Sequence, residues 1–134
     1  MRALILSDIH SNVDALDAVL AAAPAHDAVW NLGDLVGYGA EPNAVMTKVR
    51  AMGGVLVRGN HDRACCGLMN AEYFNSIALA AVEWTKRQLD ADSTEWLRLL
   101  PAGPVDPSPG AKGGRDIACV HGSLLDEDEY ILSL

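Results

Sequence analysis

The sequence predicts an α/β fold, a parallel-rich sheet with flanking helices. Three observations carry that prediction. Short apolar runs, Ala3-Leu4-Ile5-Leu6, Ala28-Val29-Trp30 and Val55-Leu56-Val57, are continuous rather than alternating, the pattern of strands covered on both faces. Stretches with apolar residues three and four apart separate them and read as helices. The order strand, helix, strand, helix, strand then calls for right-handed crossovers between parallel neighbours. The chain has 134 residues, half of them hydrophobic, enough to bury roughly two-thirds of its unfolded surface. Residues 1–134 are read as a single domain.

Residues 2–7 form the first strand. Ser11 or Asn12 can cap the following helix, which turns Val13, Leu16, Val19 and Leu20 inward and stops before Pro24. Residues 28–32 form the second strand, ending in Gly33-Asp34. The loop LVGYGAEP then leads to a helix with Pro42 in its first turn, where a missing N–H is tolerated. Val45, Val49 and Met52 face inward there, and Gly53-Gly54 terminate it. The third strand, residues 55–57, runs into Arg58-Gly59-Asn60-His61-Asp62. A helix over about Asn75 to Leu89 presents Ile77, Ala81, Trp84 and Gln88 on one face. The next starts at Asp92, with Glu95 completing a capping box, and buries Trp96, Leu99 and Leu100 before Pro101. Residues 104–116, dense in Pro and Gly, read as a loop or hairpin tip. Residues 117–120 are a fourth strand ending in His121-Gly122, and the acidic run 126–129 is a solvated loop or helix start.

Composition narrows the function. A net charge of -8, from 18 acids against 10 Lys plus Arg, argues against an extended nucleic-acid surface. Two bound divalent cations would add four positive charges and bring -8 to -4, so a phosphate can still be held locally. Cys65, Cys66 and Cys119 include an adjacent pair and form no CxxC, which suits reduced, semi-buried thiols. No apolar run reaches membrane-spanning length and Met1-Arg2 leads straight into a strand, so the expected location is cytoplasmic. There is no GxxxxGK[ST] loop, no GxSxG elbow and no GxGxxG after the first strand. Those absences disfavour a P-loop NTPase, a serine hydrolase and a dinucleotide enzyme.

The chemistry concentrates at strand ends. Asp8 and His10 close the first strand, Asp34 the second, Asn60 and His61 the third, His121 the fourth. Side chains at i and i+2 of an extended chain point the same way, so Asp8 and His10 can converge. Parallel sheets place ligands beyond the carboxyl ends of their strands. Turn or cap formation explains one such residue, but explains four in a row poorly. Asp, His and Asn together suit borderline first-row metals, and the two oxygens of a carboxylate such as Asp34 can bridge two cations. Gly33, Gly59 and Gly122 beside these residues permit close backbone approach. His26, in a connection, reads as a surface histidine.

The series Asp8-x-His10, Gly33-Asp34, Gly59-Asn60-His61-Asp62 and His121-Gly122 resembles the calcineurin-like metallophosphoesterases, in their small bacterial and archaeal phosphodiesterase-like branch. The resemblance implies that this chain is the N-terminal part of a four-layer αββα sandwich. It implies two divalent ions (Mn, Fe, Ni, Co or Zn) and hydrolysis of a small phosphodiester or nucleotide-like substrate by a metal-activated hydroxide. Asp8 and His10 would hold the first ion, Asp34 would bridge, and Asn60 and His121 would hold the second. His61 would be the general acid, with Asp62 fixing its imidazole, and Arg58 could reach the phosphate. Gly37-Tyr38 and Asp62 stand where protein phosphatases of the superfamily carry an Asp-Arg pair and a Glu, which disfavours a phosphoprotein substrate. The family pattern continues to a Gly-His-x-His motif with one further ligand per metal, and the sequence stops at Leu134 without it. A C-terminally truncated domain is therefore expected, active or acting as an incomplete, weakly metal-binding module. Self-association or a completing C-terminal polypeptide would cover what the missing strands leave open.

Overall fold

A computed structural model describes residues 1–107 and 117–132. The chain forms a three-stranded parallel sheet in the order β1-β2-β3, with β1 at Ala3–Leu6, β2 at Ala28–Asn31 and β3 at Val55–Leu56. Ala3 pairs with Ala28 and Leu6 with Asn31, while Trp30 pairs with Val55. The expected α/β class with a parallel sheet and flanking helices is what the chain adopts. Backbone pairing outlasts the strands: Leu32 N–H donates to Leu6 O at 2.8 Å, Asp8 N–H to Gly33 O at 3.0 Å, and His10 N–H to Asp34 O at 3.0 Å. The ladder thus delivers Asp8, His10 and Asp34 side by side.

Helices α1 (Val13–Ala22), α2 (Pro42–Met52), α3 (Asn60–Cys65), α4 (Ser76–Gln88) and α5 (Ala91–Leu99) connect and follow the strands. Asn12 caps α1 by accepting from Ala15 N–H, and Pro42 opens α2 as expected. Val45, Met46 and Val49 of α2 are buried with Leu6, Leu16, Leu35, Val82 and Leu97 in the main core. Strand alternation sends Leu4, Val29 and Leu56 toward this core, and Ala3, Trp30 and Val55 to a smaller cluster on the opposite face. That opposite face is the first correction. Strand β1 is not covered on both sides, since Ile5 is 56% exposed. Among the described residues, the smaller cluster buries only Trp30, Val57 and Cys119.

Three further expectations shift. Residues 117–120 do not join the parallel sheet, because Cys119 forms an isolated antiparallel bridge with Val105. Helix α4 buries Ala78, Val82 and Thr85 rather than the face through Ile77, which is 75% exposed. Helix α5 is capped by Asp90, not Asp92, and buries Leu97 while Leu99 is 73% exposed. The short helix α3 was not expected at all; it places Asn60, His61 and Asp62 in one buried first turn. Of the loop expected at 104–116, residues 108–116 lie outside the described residues. Among the described residues, no helix is long and apolar enough to cross a membrane.

Candidate metal centre

The loops after β1 and β2 take unusual backbone shapes to bring their side chains together. Asp8, His10, Ser11, Asp34 and Tyr38 all have φ between 48° and 57°, the left-handed region that non-glycine residues rarely occupy. Five such residues in two adjacent loops mark a place where geometry is held against local preference. Ligand atoms of Asp8, His10 and Asp34 lie within 4.8 Å of one another. His10 Nε2 is 3.7 Å from Asp8 Oδ1 and 3.6 Å from Asp34 Oδ2.

The other oxygen of Asp34 faces a second group. His121 Nε2 lies 3.6 Å from Asp34 Oδ1 and 3.1 Å from Asn60 Oδ1. Asp34 therefore stands between two donor sets, one on each oxygen. Both histidines are oriented by the backbone: His10 Nδ1 lies 3.1 Å from Val36 O, and His121 Nδ1 2.7 Å from Leu32 O. A carbonyl partner fixes the proton on Nδ1 and leaves Nε2 with its lone pair toward the site, as a metal ligand requires. Gly59 makes the close approach possible, for a Cβ there would sit 2.0 Å from Asp34 Oδ1.

Burial sets the electrostatics. The Asp34 carboxyl is pushed up to about 6, first by burial and further by Asp8, against the pull of His121 and the His61 N–H. A buried carboxyl with a raised pKa, such as Asp34, is relieved by positive charge nearby, and a divalent cation supplies it. The oxygen and imidazole donors present here fit such an ion by their chemistry and by the facing of Nε2 and carboxylate atoms.

His61 sits beside this group, 4.9 Å from His10 between ring centres and 4.6 Å from Tyr38. Its Nδ1 is buried without a hydrogen-bond partner, against Gly37, where a Cβ would come within 2.6 Å. Burial, then the nearby His10 and His121, push its pKa down to about 4.

Two assigned roles need correction. Asp62 does not hold the His61 imidazole. Its Oδ1 accepts from Leu35 N–H at 2.9 Å and Val36 N–H at 3.1 Å, and its Oδ2 from Gly59 N–H at 2.9 Å. It is fully buried, and burial pushes it up to about 7 despite those three donors. Asp62 is a backbone tie between the Asp34 loop and the start of α3. Arg58 is committed to a carboxylate at the edge of the cleft instead of being free for a phosphate. Its guanidinium forms a two-point ion pair with Glu127, Nε–Oε2 3.0 Å and Nη2–Oε1 3.1 Å. Arg63 reaches the same Glu127 and Asp128. This pairing holds the acidic run beside a cleft of about 330 Å³ lined by Asp8, Asp34, Asn60 and His121. The run is thus tied down rather than simply solvated. Sequence reading also passed over Gly37 and Tyr38 as site residues. The glycine pair flanking a tyrosine in LVGYG was the available signal.

Comparison with known proteins agrees with this geometry. The family model described as calcineurin-like phosphoesterase matches residues 1–133. An uncharacterized protein of Methanocaldococcus jannaschii is 38% identical over 99 residues, covering 72% of this chain and 41% of its own length. A symmetrical bis(5'-nucleosyl)-tetraphosphatase of Yersinia enterocolitica is 39% identical, with 100% of this chain and 52% of that protein covered. The crystal structure of a metallophosphoesterase from Sphaerobacter thermophilus superposes with a TM-score of 0.79 at 41% identity, covering 98% of this chain and 51% of that one. The chain thus spans about half the length of the relatives it matches. With a family match over nearly all its residues and the Asp8, His10 and Asp34 ligand atoms gathered at one point, the chain belongs to the calcineurin-like phosphoesterases.

Proposed function

We propose that this chain carries the metal-binding and acid groups of a phosphoesterase acting on small phosphodiesters or nucleotide-like esters. The observation that carries the reading is Asp34, whose two oxygens face separate donor sets, Asp8 with His10 and Asn60 with His121. Such an arrangement suits two divalent ions sharing one carboxylate. Bound there, the ions supply Lewis-acid polarisation of the phosphoryl group and activation of water.

The remaining work falls to the chain's own groups. In this reading His61 donates a proton to the departing oxygen through Nε2, since its Nδ1 is buried against Gly37. An anionic ester in the cleft favours the protonated imidazole that burial disfavours. Asp62 acts by keeping the Asp34 loop against α3 through the Leu35, Val36 and Gly59 N–H groups. Nucleotide-like substrates are favoured by the Yersinia relative, which is named for a dinucleoside tetraphosphate.

A second reading has its own support. The chain covers about half of its relatives, so the same donors can form a weakly metal-binding module completed by another polypeptide or by a second copy. Metal content decides between them. After equilibration with Mn²⁺ and desalting, the first reading expects close to two ions per chain and hydrolysis of a simple phosphodiester that His61→Ala reduces at least about a hundredfold. Less than one ion per chain and no hydrolysis would leave the module reading in place.

A further inference from the structure

Beside the metal cleft lies a second cavity, about 360 Å³, of which the proposed chemistry uses only the edge at Asn60 and His61. Asn60, Asp128 and Tyr130 line both, so the two spaces are neighbours. Its walls are aromatic and come from four parts of the chain: Tyr38, His61, Tyr73 with Phe74, and Tyr130. The rings form a continuous series from the metal-facing imidazole outward. His10 meets Tyr38 at 4.9 Å, Tyr38 meets His61 at 4.6 Å, and His61 meets Phe74 at 4.9 Å.

Two of these rings turn most of their surface outward. Tyr73 is 90% exposed and Tyr130 75% exposed. A lone exposed aromatic needs no explanation, but several round one cavity suggest a ligand. The cavity is not built for an anion. Asp128 is its carboxylate, and Arg63 already pairs with it. It does offer an edge donor: Asn75 commits Oδ1 to the Ile77 and Ala78 N–H groups at the start of α4, which leaves its amide N–H groups to meet a ring nitrogen or carbonyl.

We propose that this aromatic cavity receives the nucleobase of a nucleoside ester whose phosphate lies in the adjoining metal cleft. The inference rests on the phosphoesterase reading above and extends it to the organic half of the substrate. A flat heteroaromatic ring stacks on tyrosine and phenylalanine faces with little preference among bases. The cavity volume lies within the usual range for small-molecule sites. Selection therefore falls between nucleoside esters and esters of sugars or alkyl groups, not between one base and another.

The test compares adenosine 5'-monophosphate with ribose 5-phosphate, which share the phosphate and sugar but not the base. Binding of each to the Zn²⁺-supplemented chain is measured by calorimetry, with adenosine alone as a third ligand. The expected result is an affinity for the monophosphate roughly tenfold or more above that for ribose 5-phosphate. In the double variant Tyr73→Ala/Tyr130→Ala, both at exposed positions, that ratio falls toward one. A ratio near one in the unaltered chain overturns the proposal, as does a high ratio that the double variant leaves intact. Failure of the hydrolytic reading shows separately: adenosine still binds in a Tyr73- and Tyr130-dependent manner while Mn²⁺ confers no diester hydrolysis. That outcome supports the base site and removes the phosphoesterase.

Discussion

His61 shows how much of the site's behaviour is set by single-residue burial. Its imidazole, ordinarily protonated near pH 6.5, is held down to about 4 by burial and by His10 and His121. Between those values the unfolded chain binds a proton that the folded chain refuses. Stability from this residue is therefore present above about pH 6.5 and is lost as pH falls toward 4. Asp34 and Asp62, raised to about 6 and 7, act with the opposite sign, since the folded chain keeps protons there that the unfolded chain has released. A bare pH-stability curve mixes these effects. The comparison that isolates His61 is metal-free wild type against His61→Gln, unfolded with urea at about pH 7 and about pH 4. The advantage of wild type over the variant should shrink on acidification. An advantage independent of pH would mean that the ring is not kept neutral by its surroundings.

At the scale of elements, the junction of the Asp34 loop with α3 depends on one carboxylate. Asp62 satisfies the N–H groups of Leu35, Val36 and Gly59, all at buried or half-buried positions. Asp62→Ala leaves three donors at buried positions without partners. The expected cost is about 2–4 kcal/mol in urea unfolding, with an unchanged denaturant slope. A loss below about 1 kcal/mol would show that the loop and helix hold together without it. This role was not legible in the sequence. A carboxylate directly after His61 reads as its partner, and only the folded chain brings Leu35 and Val36 within reach. Helix α4 was misread for a related reason: SIALAAVEW carries apolar residues on every side, so periodicity could not choose between Ile77 and Ala78. Asp90 and Asp92 were equally good caps by type, and three-dimensional entry angle chose Asp90. By contrast, the meeting of Asp8, His10 and Asp34 was legible, because the apolar runs before them stop abruptly at these residues. Pro42 and Gly53 were legible too, each permitting a backbone shape that neighbours do not.

Over the whole molecule, charge and cation binding are the same question. The chain carries -8, and two of its acids, Asp8 and Asp34, meet the His10 imidazole within 4.8 Å. Burial, with Asp8 adding to it, disfavours the charged form of Asp34 and raises its pKa, so a cation bound there relieves that cost. A divalent ion that binds the folded chain and not the unfolded one must then stabilise it by mass action, by about 2.7 kcal/mol at a hundredfold excess over its dissociation constant. The melting temperature of the chelator-treated protein should accordingly rise with Mn²⁺ by several degrees. Chelator should reverse the rise, and sodium chloride at equal ionic strength should not reproduce it, since screening acts weakly at such short range. Asp34→Ala is the discriminating variant. It removes the carboxylate that both donor sets share, so the Mn²⁺ shift should nearly vanish. An equal shift in Asp34→Ala would assign the stabilisation to diffuse acidic surface, such as residues 126–129, and would detach the strand-end constellation from metal binding altogether.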